Sequence, residues 1–254
     1  MVCKNCNQSI EGEFCHHCGQ NAQVQRINFK YISSEFSSSI LQINNGLLYT
    51  VKELFTRPGH SIREFLEGKR VRHFKPLAFV LVTSTIYVIA SYLTEVKTVL
   101  ADFISGMAGA SESNDQTTAI FHDTLIWFEN HYAYSTLFTL IFFSFASYLV
   151  FKKDGYNYFE HIVLNLYITG QQTIIFLLLH FFYLILNPEN YVMQFITLLG
   201  SVFYCFWVYI QFFQNRGVIG NILRVASIYI LTAIFILALL FIFGMLTIAG
   251  LNAM

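Results

Sequence analysis

The stretch VASIYILTAIFILALLFIFGMLTIAGLNAM, residues Val225–Met254, contains no Lys, Arg, Asp or Glu. A helix needs about 20 consecutive apolar residues to cross the hydrocarbon core of a bilayer, so this stretch is long enough to span a membrane. The same charged residues are absent from four further stretches: Leu77–Thr94, Tyr132–Phe151, Ile162–Asn187 and Tyr191–Gln214. The sequence therefore predicts an all-α polytopic membrane protein with about five transmembrane helices, near residues 77–94, 132–151, 162–187, 191–214 and 225–250.

The composition agrees with a membrane location. Of the 254 residues, 55% are hydrophobic and 12% are charged, whereas about a quarter of the residues in soluble domains are charged. Aromatic residues make up 17% of the chain, which suits helices that end at the lipid–water interface. The composition therefore excludes a water-soluble fold.

The distribution of Lys and Arg predicts the orientation in the membrane. Ten of these fifteen residues lie in the segment 1–76, and only Lys97 lies in the loop 95–131 that follows the first predicted membrane helix. Cytoplasmic loops carry an excess of Lys and Arg. With the N-terminus in the cytoplasm, fourteen of the fifteen cations face inward. We therefore expect the C-terminus and the acidic loop 95–131 to lie outside.

Two Cys-x2-Cys pairs near the N-terminus predict a metal site. Cys3 and Cys6 form the first pair, and Cys15 and Cys18 form the second. Each pair directs two thiolates at one point, and two pairs complete a tetrahedral S4 site, for which zinc is the usual ion. We therefore expect a small zinc ribbon over residues 1–25, although an S4 site also suits iron. Gly19, after the second pair, allows the positive φ that such turns need.

The ligand set and the charge of the ribbon narrow its role. Four cysteines leave no open position for a catalytic water, so we expect a structural metal. His16 and His17 are alternative ligands, and disulfides are disfavoured in a cytoplasmic segment. Residues 1–25 contain a single cation, Lys4, and a Zn(Cys)4 centre adds negative charge, so nucleic acid is disfavoured as a partner. We expect the ribbon to bind a protein partner or the remainder of this chain.

The knuckle EFCHHCGQ at residues 13–20 and the segment RPGHSIREFLEGKRVRHFKPLAF at residues 57–79 resemble a bacterial membrane family. That family is catalogued only as a domain of unknown function, typically with such a ribbon ahead of several helices. The resemblance implies a membrane location and a ribbon, and it brings no activity or substrate with it. We expect the membrane to be the bacterial inner (cytoplasmic) membrane. A looser similarity is to Yip1-type proteins, which also combine a cytoplasmic N-terminal region with five membrane helices.

Residues 26–76 are predicted to form an amphipathic connector that ends in a basic collar. The apolar stripe of this segment fits either packing against the membrane helices or a helix in the headgroup layer. Ser61 and Glu64 are predicted to form a capping box at the start of a short helix that ends at Gly68. The cations of the collar either anchor the chain at the inner surface or bind anionic lipid or phosphate. They are Arg63, Lys69, Arg70, Arg72 and Lys75.

The third predicted membrane helix, in the membrane domain 77–254, carries a polar face. Its side chains fall within an arc of about 100° on a helical projection: Asn165, Thr169, Gln172, Thr173 and His180. Two interpretations are open, namely hydrogen bonds between helices and a path for a substrate or ion. The predicted spans contain no carboxylate or fixed cation, which disfavours a transporter coupled to protons or sodium.

Together these patterns predict an integral inner-membrane protein whose zinc ribbon is a non-enzymatic docking, assembly or regulatory module. Its expected partners are membrane lipids, anionic lipids among them, an unidentified cytoplasmic protein and further copies of the chain. The alternative is a small-molecule or lipid permease, or a channel, lined by the third and fourth predicted helices. An enzyme is disfavoured because the sequence carries no recognisable catalytic motif.

Overall fold

The structure, a computed structural model, describes residues 1–39, 46–94, 131–186, 190–214 and 217–252. Three short helices precede the membrane domain: α1 (Phe29–Ser39), α2 (Leu47–Thr56) and α3 (Pro58–Glu67). Five long helices follow: α4 (Pro76–Thr94), α5 (Tyr132–Phe151), α6 (Tyr158–Leu186), α7 (Asn190–Phe212) and α8 (Val218–Asn252). Except for residue 131, the predicted outer loop 95–131 lies outside the described residues.

The five long helices decide the class of the protein. Each contains a segment long and apolar enough to cross a membrane. The described residues contain no strand, and their only β-bridges are two isolated ones near the N-terminus. The predicted all-α, multi-pass membrane fold is therefore confirmed.

Helix α6 begins at Tyr158, before the expected start near residue 162, because a capping box fixes its first turn. Asn157 Oδ1 accepts the backbone N–H of Glu160 at 3.0 Å, and Glu160 Oε2 accepts the backbone N–H of Asn157 at 2.8 Å. These reciprocal bonds satisfy two donors that a helix N-terminus otherwise leaves without partners. Glu160 therefore belongs to the first turn of a membrane helix.

Helix α6 is the centre of the bundle. It packs against α4, α5 and α7, while α8 packs against α5 and α7. The core between them includes Phe79 of α4, Tyr167 of α6 and Tyr209 of α7. Gly170 of α6 admits the ring of Phe79, because a Cβ atom at that position would overlap the ring. This close approach places α4 directly against α6.

The connector packs against the end of the bundle. Leu54 of α2 and Ile62 and Phe65 of α3 are each 1% exposed and belong to the same buried cluster as the core of the long helices. The hydroxyl of Tyr204 on α7 donates to the carbonyl oxygen of Leu54 at 3.0 Å. Of the two interpretations of the apolar stripe, the structure favours packing against the membrane helices.

The predicted capping box of Ser61 and Glu64 is wrong. Pro58 occupies the first turn of α3, where its missing N–H costs nothing, and the helix therefore begins before Ser61. Ser61 lies inside the helix, where its N–H donates to the Arg57 carbonyl at 3.0 Å. The predicted end is correct: Gly68 has φ +118° and its N–H donates to the carbonyls of Glu64 and Phe65.

Candidate metal centre and its contacts with the membrane domain

The four cysteines near the N-terminus lie close together. Cys3 Sγ and Cys18 Sγ are 3.6 Å apart, and Cys6 Sγ and Cys15 Sγ are 3.5 Å apart. All four sulfur atoms lie within 4.8 Å of one another. In a tetrahedral site with Zn–S bonds of about 2.3 Å, neighbouring sulfur atoms are about 3.8 Å apart. The four thiols therefore fit a single metal ion bound in a closed S4 site.

The site is built from two copies of one loop. In the first copy, Asn7 N–H donates to Cys3 O at 2.9 Å, and in the second Gly19 N–H donates to Cys15 O at 2.8 Å. The residue after each pair has a positive φ, 60° at Asn7 and 74° at Gly19. The sequence shows the repeat as CKNCNQ at residues 3–8 and CHHCGQ at residues 15–20. The prediction of the site rested on the cysteine spacing and not on this repeat.

The last residues of each loop are held by equivalent backbone bonds in the two copies. Cys3 N–H donates to Gln8 O, and Cys15 N–H donates to Gln20 O, both at 2.8 Å. The bridges Val2–Ser9 and Phe14–Asn21 close the two loops in the same way. The ribbon is therefore a symmetric pair of knuckles around its sulfur atoms.

Little besides the cysteines is buried in this segment. Cys3 and Cys15 are buried, and with Ile10 they form the whole buried cluster of the described ribbon. His16 and His17 are exposed and do not belong to the group of potential ligands. Such a small core does not fold without additional stabilisation, which a metal ion supplies in comparable domains.

The ribbon contacts the C-terminal end of α3. Gln20 Oε1 accepts the backbone N–H of Arg70 at 3.2 Å, and the Gln25 carbonyl accepts Arg70 Nη2–H at 3.0 Å. Gly68 permits this contact, because a Cβ atom there would lie 2.9 Å from Lys4 Cδ and 2.9 Å from Val24 Cγ1. The ribbon is therefore docked on its own chain.

A second contact joins the segment after the ribbon to α6. Arg26 Nε and Nη2 each lie 2.7 Å from a carboxylate oxygen of Glu160, and Arg26 Nη2 also donates to Gly155 O at 2.7 Å. Glu160 is 5% exposed. Asn157 Nδ2 donates to Ile27 O at 3.0 Å. The contact of Glu160 with Arg26 was not predicted from the sequence, although the capping-box pattern Asn157-x-x-Glu160 indicates the helix start at which Glu160 lies.

Two cations of the collar, Lys69 and Arg70, have separate partners. Lys69 Nζ lies 3.1 Å from Glu64 Oε1, and the Arg70 guanidinium lies 4.8 Å from the centre of the Tyr31 ring. Arg72 is exposed, and Lys75 is half-buried. The structure does not gather these side chains around one point, and a lipid or phosphate site at the collar stays a prediction.

Charged and buried groups lie side by side in the collar. Burial acts to raise the pKa of Glu64, but hydrogen bonds and charges of Arg57 and Lys69 lower it overall. His73 is 6% exposed, with its ring edge-on to Tyr49. Burial lowers the pKa of His73 to about 4. The imidazole of His73 is therefore neutral at physiological pH.

Arg63, the first predicted ligand of the collar, instead caps α7. Its Nη1 donates to the carbonyls of Gln211 and Phe212, both at 2.6 Å. These are the last carbonyls of the helix, which lack partners within it. Gln211 Oε1 in turn accepts the N–H of Gly59 at 3.1 Å. The beginning of α3 is therefore joined to the end of α7.

The polar face of the third predicted helix is used for bonds within the bundle. Asn165 Nδ2 donates to Ser144 Oγ at 3.1 Å, and its Oδ1 lies 2.8 Å from the hydroxyl of Tyr209. Gln172 Nε2 donates to the Ser201 carbonyl at 2.9 Å. This arrangement favours hydrogen bonding between helices over a substrate path.

The remaining members of that face bond locally or to α4. Thr173 Oγ1 donates to the Thr169 carbonyl at 3.0 Å. His180 Nε2 lies 2.6 Å from Thr94 Oγ1. The face therefore links α6 to α4, α5 and α7 in the described part of the bundle.

A cavity of about 420 Å³ lies between the ribbon, α3 and the turn that precedes α6. Its charged lining comprises Lys4, Arg26, Glu67, Asp154 and Glu160. Arg26 and Glu160 are paired with each other across it. The cavity marks the seam between the ribbon and the membrane domain.

Comparison with known families supports part of the expected resemblance. The family described as "Protein of unknown function (DUF3667)" matches residues 44–88, which comprise α2, α3 and the first part of α4. The segment 57–79 falls within this match, whereas the knuckle at 13–20 lies outside it. Neither a curated protein nor a solved structure matches the chain. The similarity to Yip1-type proteins stays an expectation.

Proposed function

We propose that this multi-pass membrane protein binds one zinc ion in its four-cysteine site and uses the ribbon as a non-enzymatic assembly module. The observation that carries the proposal is the docking of the ribbon on the chain itself. Gln20 joins the second knuckle to Arg70, and Arg26 joins the segment after the ribbon to Glu160. The module therefore organises one end of the membrane domain.

The chemistry of the site favours zinc and a structural role. Four thiolates suit zinc, which has no geometric preference of its own and accepts a tetrahedral S4 set. The closed set leaves no position for a substrate or a catalytic water. Exposed side chains of the same ribbon, among them His16 and Glu13, remain free to meet a cytoplasmic protein.

The substitution Cys3→Ser tests the metal assignment. We expect purified wild-type protein to contain one zinc per chain and the variant to contain far less, because three thiolates hold zinc much more weakly. Both forms should insert into the membrane, since the five apolar helices are unchanged. Metal analysis of detergent-purified protein measures the first expectation, and membrane fractionation measures the second.

Cys205→Ser is the matched control, because Cys205 is buried in the membrane domain and does not belong to the sulfur cluster. It should keep the wild-type zinc content. A zinc content in Cys3→Ser equal to that of wild type would refute the site. If the wild-type protein contains iron, the proposed ion is iron instead of zinc.

A further inference from the structure

We propose that metal binding in the ribbon is coupled to the C-terminal end of α7 through helix α3. The inference rests on the proposed metal site and adds a thermodynamic link between the ribbon and the end of α7. The ribbon contacts one end of α3, and α7 contacts the other. Helix α3 has 10 residues and is about 15 Å long.

Gln20 makes the link at the ribbon. Its carbonyl accepts the N–H of Cys15 at 2.8 Å, so the backbone of Gln20 belongs to the second knuckle. Its side-chain oxygen accepts the N–H of Arg70 at 3.2 Å. Gln20 is 5% exposed. A metal ion that fixes the knuckle therefore also fixes the position of the acceptor for Arg70.

Gly59 and Arg63 make the link at α7. A Cβ atom on Gly59 would lie 2.5 Å from both Gln211 Cβ and Phe212 N, so the two backbones are in direct contact. Arg63 caps the carbonyls of Gln211 and Phe212 at 2.6 Å. A displacement of α3 therefore removes the cap of α7.

Helix α3 connects the two ends as one uninterrupted helix. Phe65, in its last turn, is 1% exposed and packs edge-on to Tyr167 of α6. The ribbon supplies the two-state element, because a domain with so small a core is ordered when it holds metal and disordered when it does not. Coupling between two sites is reciprocal, so a change at the α7 end must alter the affinity for metal.

The test measures zinc affinity of the full-length protein in detergent, by competition with a chromogenic chelator. We expect Gly59→Ala to weaken zinc binding by about fivefold or more, although Gly59 touches no cysteine. Gly200→Ala is the control: Gly200 lies on α7 itself, and a Cβ atom there meets nothing within 4 Å. It should keep the wild-type affinity.

A milder variant separates coupling from misfolding. Gln211→Ala removes the acceptor of the Gly59 N–H without introducing a clash. It should weaken zinc binding in the same direction while the protein elutes as a folded species. In the reverse experiment, removal of zinc from wild-type protein should accelerate amide exchange at the end of α7.

The outcomes distinguish the two proposals. If the wild-type protein binds no metal, the proposed function fails and the coupling fails with it. If folded Gly59→Ala and Gln211→Ala bind zinc as tightly as wild type, the coupling is overturned and the metal site stands. The coupling would also be overturned if the amide exchange rate at the end of α7 were the same with and without zinc.

Discussion

Glu160 serves two parts of the molecule with one carboxylate. Its oxygen closes the capping box at the start of α6, and both oxygens bind the Arg26 guanidinium. Hydrogen bonds to charged groups contribute about 1.5–3 kcal/mol each when well formed. Because the Arg26 side chain is 61% exposed, solvent reduces this value, and we assign the pair about 1–2 kcal/mol.

Glu160→Gln should therefore lower the stability of the docked segment by about 1–2 kcal/mol. The amide keeps one oxygen for Asn157 and loses the charge that attracts Arg26. Limited proteolysis near residues 22–28 should become faster. Glu67→Gln, which alters an exposed carboxylate in the same cavity, is the control. Equal proteolysis of Glu160→Gln and wild type would contradict the assignment.

The buried His73 should make the stability of the folded protein depend on pH. Its pKa is lowered by burial to about 4 in the folded protein, against about 6.5 in an unfolded chain. Between these values the unfolded state binds more protons than the folded state, so stability falls as pH decreases from about 6.5 to about 4. Between about pH 6.5 and 5 the loss should approach 2 kcal/mol.

Protonation of the cysteines weakens metal binding at low pH in every variant. The contribution of His73 is therefore measured as the difference between the pH profiles of wild type and His73→Phe. Thermal midpoints in detergent should fall less steeply with acidification in His73→Phe than in wild type. His17→Asn, at an exposed position of the ribbon, should retain the wild-type profile. Parallel profiles for His73→Phe and wild type would disprove the role of His73.

At the scale of elements, α3 explains the density of Gly, Pro and charged residues in the segment 57–68. Pro58 starts the helix, Gly59 admits α7, and Gly68 ends the helix beneath the ribbon. Arg63 caps a neighbouring helix. The segment that matches the family of unknown function is therefore a structural joint between the ribbon and the membrane helices.

Gly68→Ala should release the ribbon from this joint. The residue has φ +118°, where a side chain is strained, and the added Cβ atom would meet Lys4 and Val24. Strain of this kind costs about 1–3 kcal/mol. Protease sensitivity of residues 1–28 should rise while membrane insertion is unchanged.

Gly12→Ala provides the matched comparison for Gly68→Ala. Gly12 also lies in the ribbon, and a Cβ atom there meets nothing within 4 Å. It should retain wild-type protease resistance. A Gly68→Ala variant as resistant as Gly12→Ala would show that the close contact at Gly68 does not hold the ribbon.

The sequence predicted the long helices well, and the main differences are the earlier starts of α6 at Tyr158 and of α8 at Val218. Long charge-free stretches predict membrane spans, because a helix satisfies its backbone hydrogen bonds within one segment in lipid. Glu160 was not predicted as a site residue, because the charge-free stretches exclude the charged first turn of α6. The sequence around Ser61 and the sequence around Asn157 both fit a capping box. The structure shows that α3 begins at Pro58 instead, whereas Asn157 does cap α6.

The cluster of four cysteines was predictable and the docking of the ribbon was not. Cysteine spacing is local, so the sequence predicted the cluster of Cys3, Cys6, Cys15 and Cys18. Contacts between Arg26 and Glu160 join residues far apart in the chain, and no local pattern encodes them. Arg63 was expected to bind an external anion, and the structure directs it to carbonyl groups of α7.

At the scale of the whole molecule, the cations of the described residues collect at one end of the bundle. The ribbon, the turn between α5 and α6, and the end of α7 lie together, because Arg26 contacts Gly155 and Arg63 contacts Phe212. Exposed Lys152 and Lys153 belong to the same turn. The positive-inside rule therefore applies to this end as a unit.

An alkaline phosphatase fused after Met254 in a bacterial host should be active, since an odd number of spans carries the C-terminus across the membrane. The same reporter fused at the turn near Gly155 should be inactive, because that turn lies at the same end as the ribbon, which we propose to be cytoplasmic. Reporter activity in the periplasm measures both. Activity at Gly155 and none at Met254 would reverse the orientation.

The bond between Arg26 and Glu160 also constrains how the protein is made. The two residues are separated by 134 positions in the chain, and a ribosome synthesises about 5–20 residues per second. The ribbon is therefore complete, and able to take up metal, several seconds before its docking surface on α6 exists. For the proposed zinc site, all four ligands are therefore synthesised before the surface on which the ribbon docks.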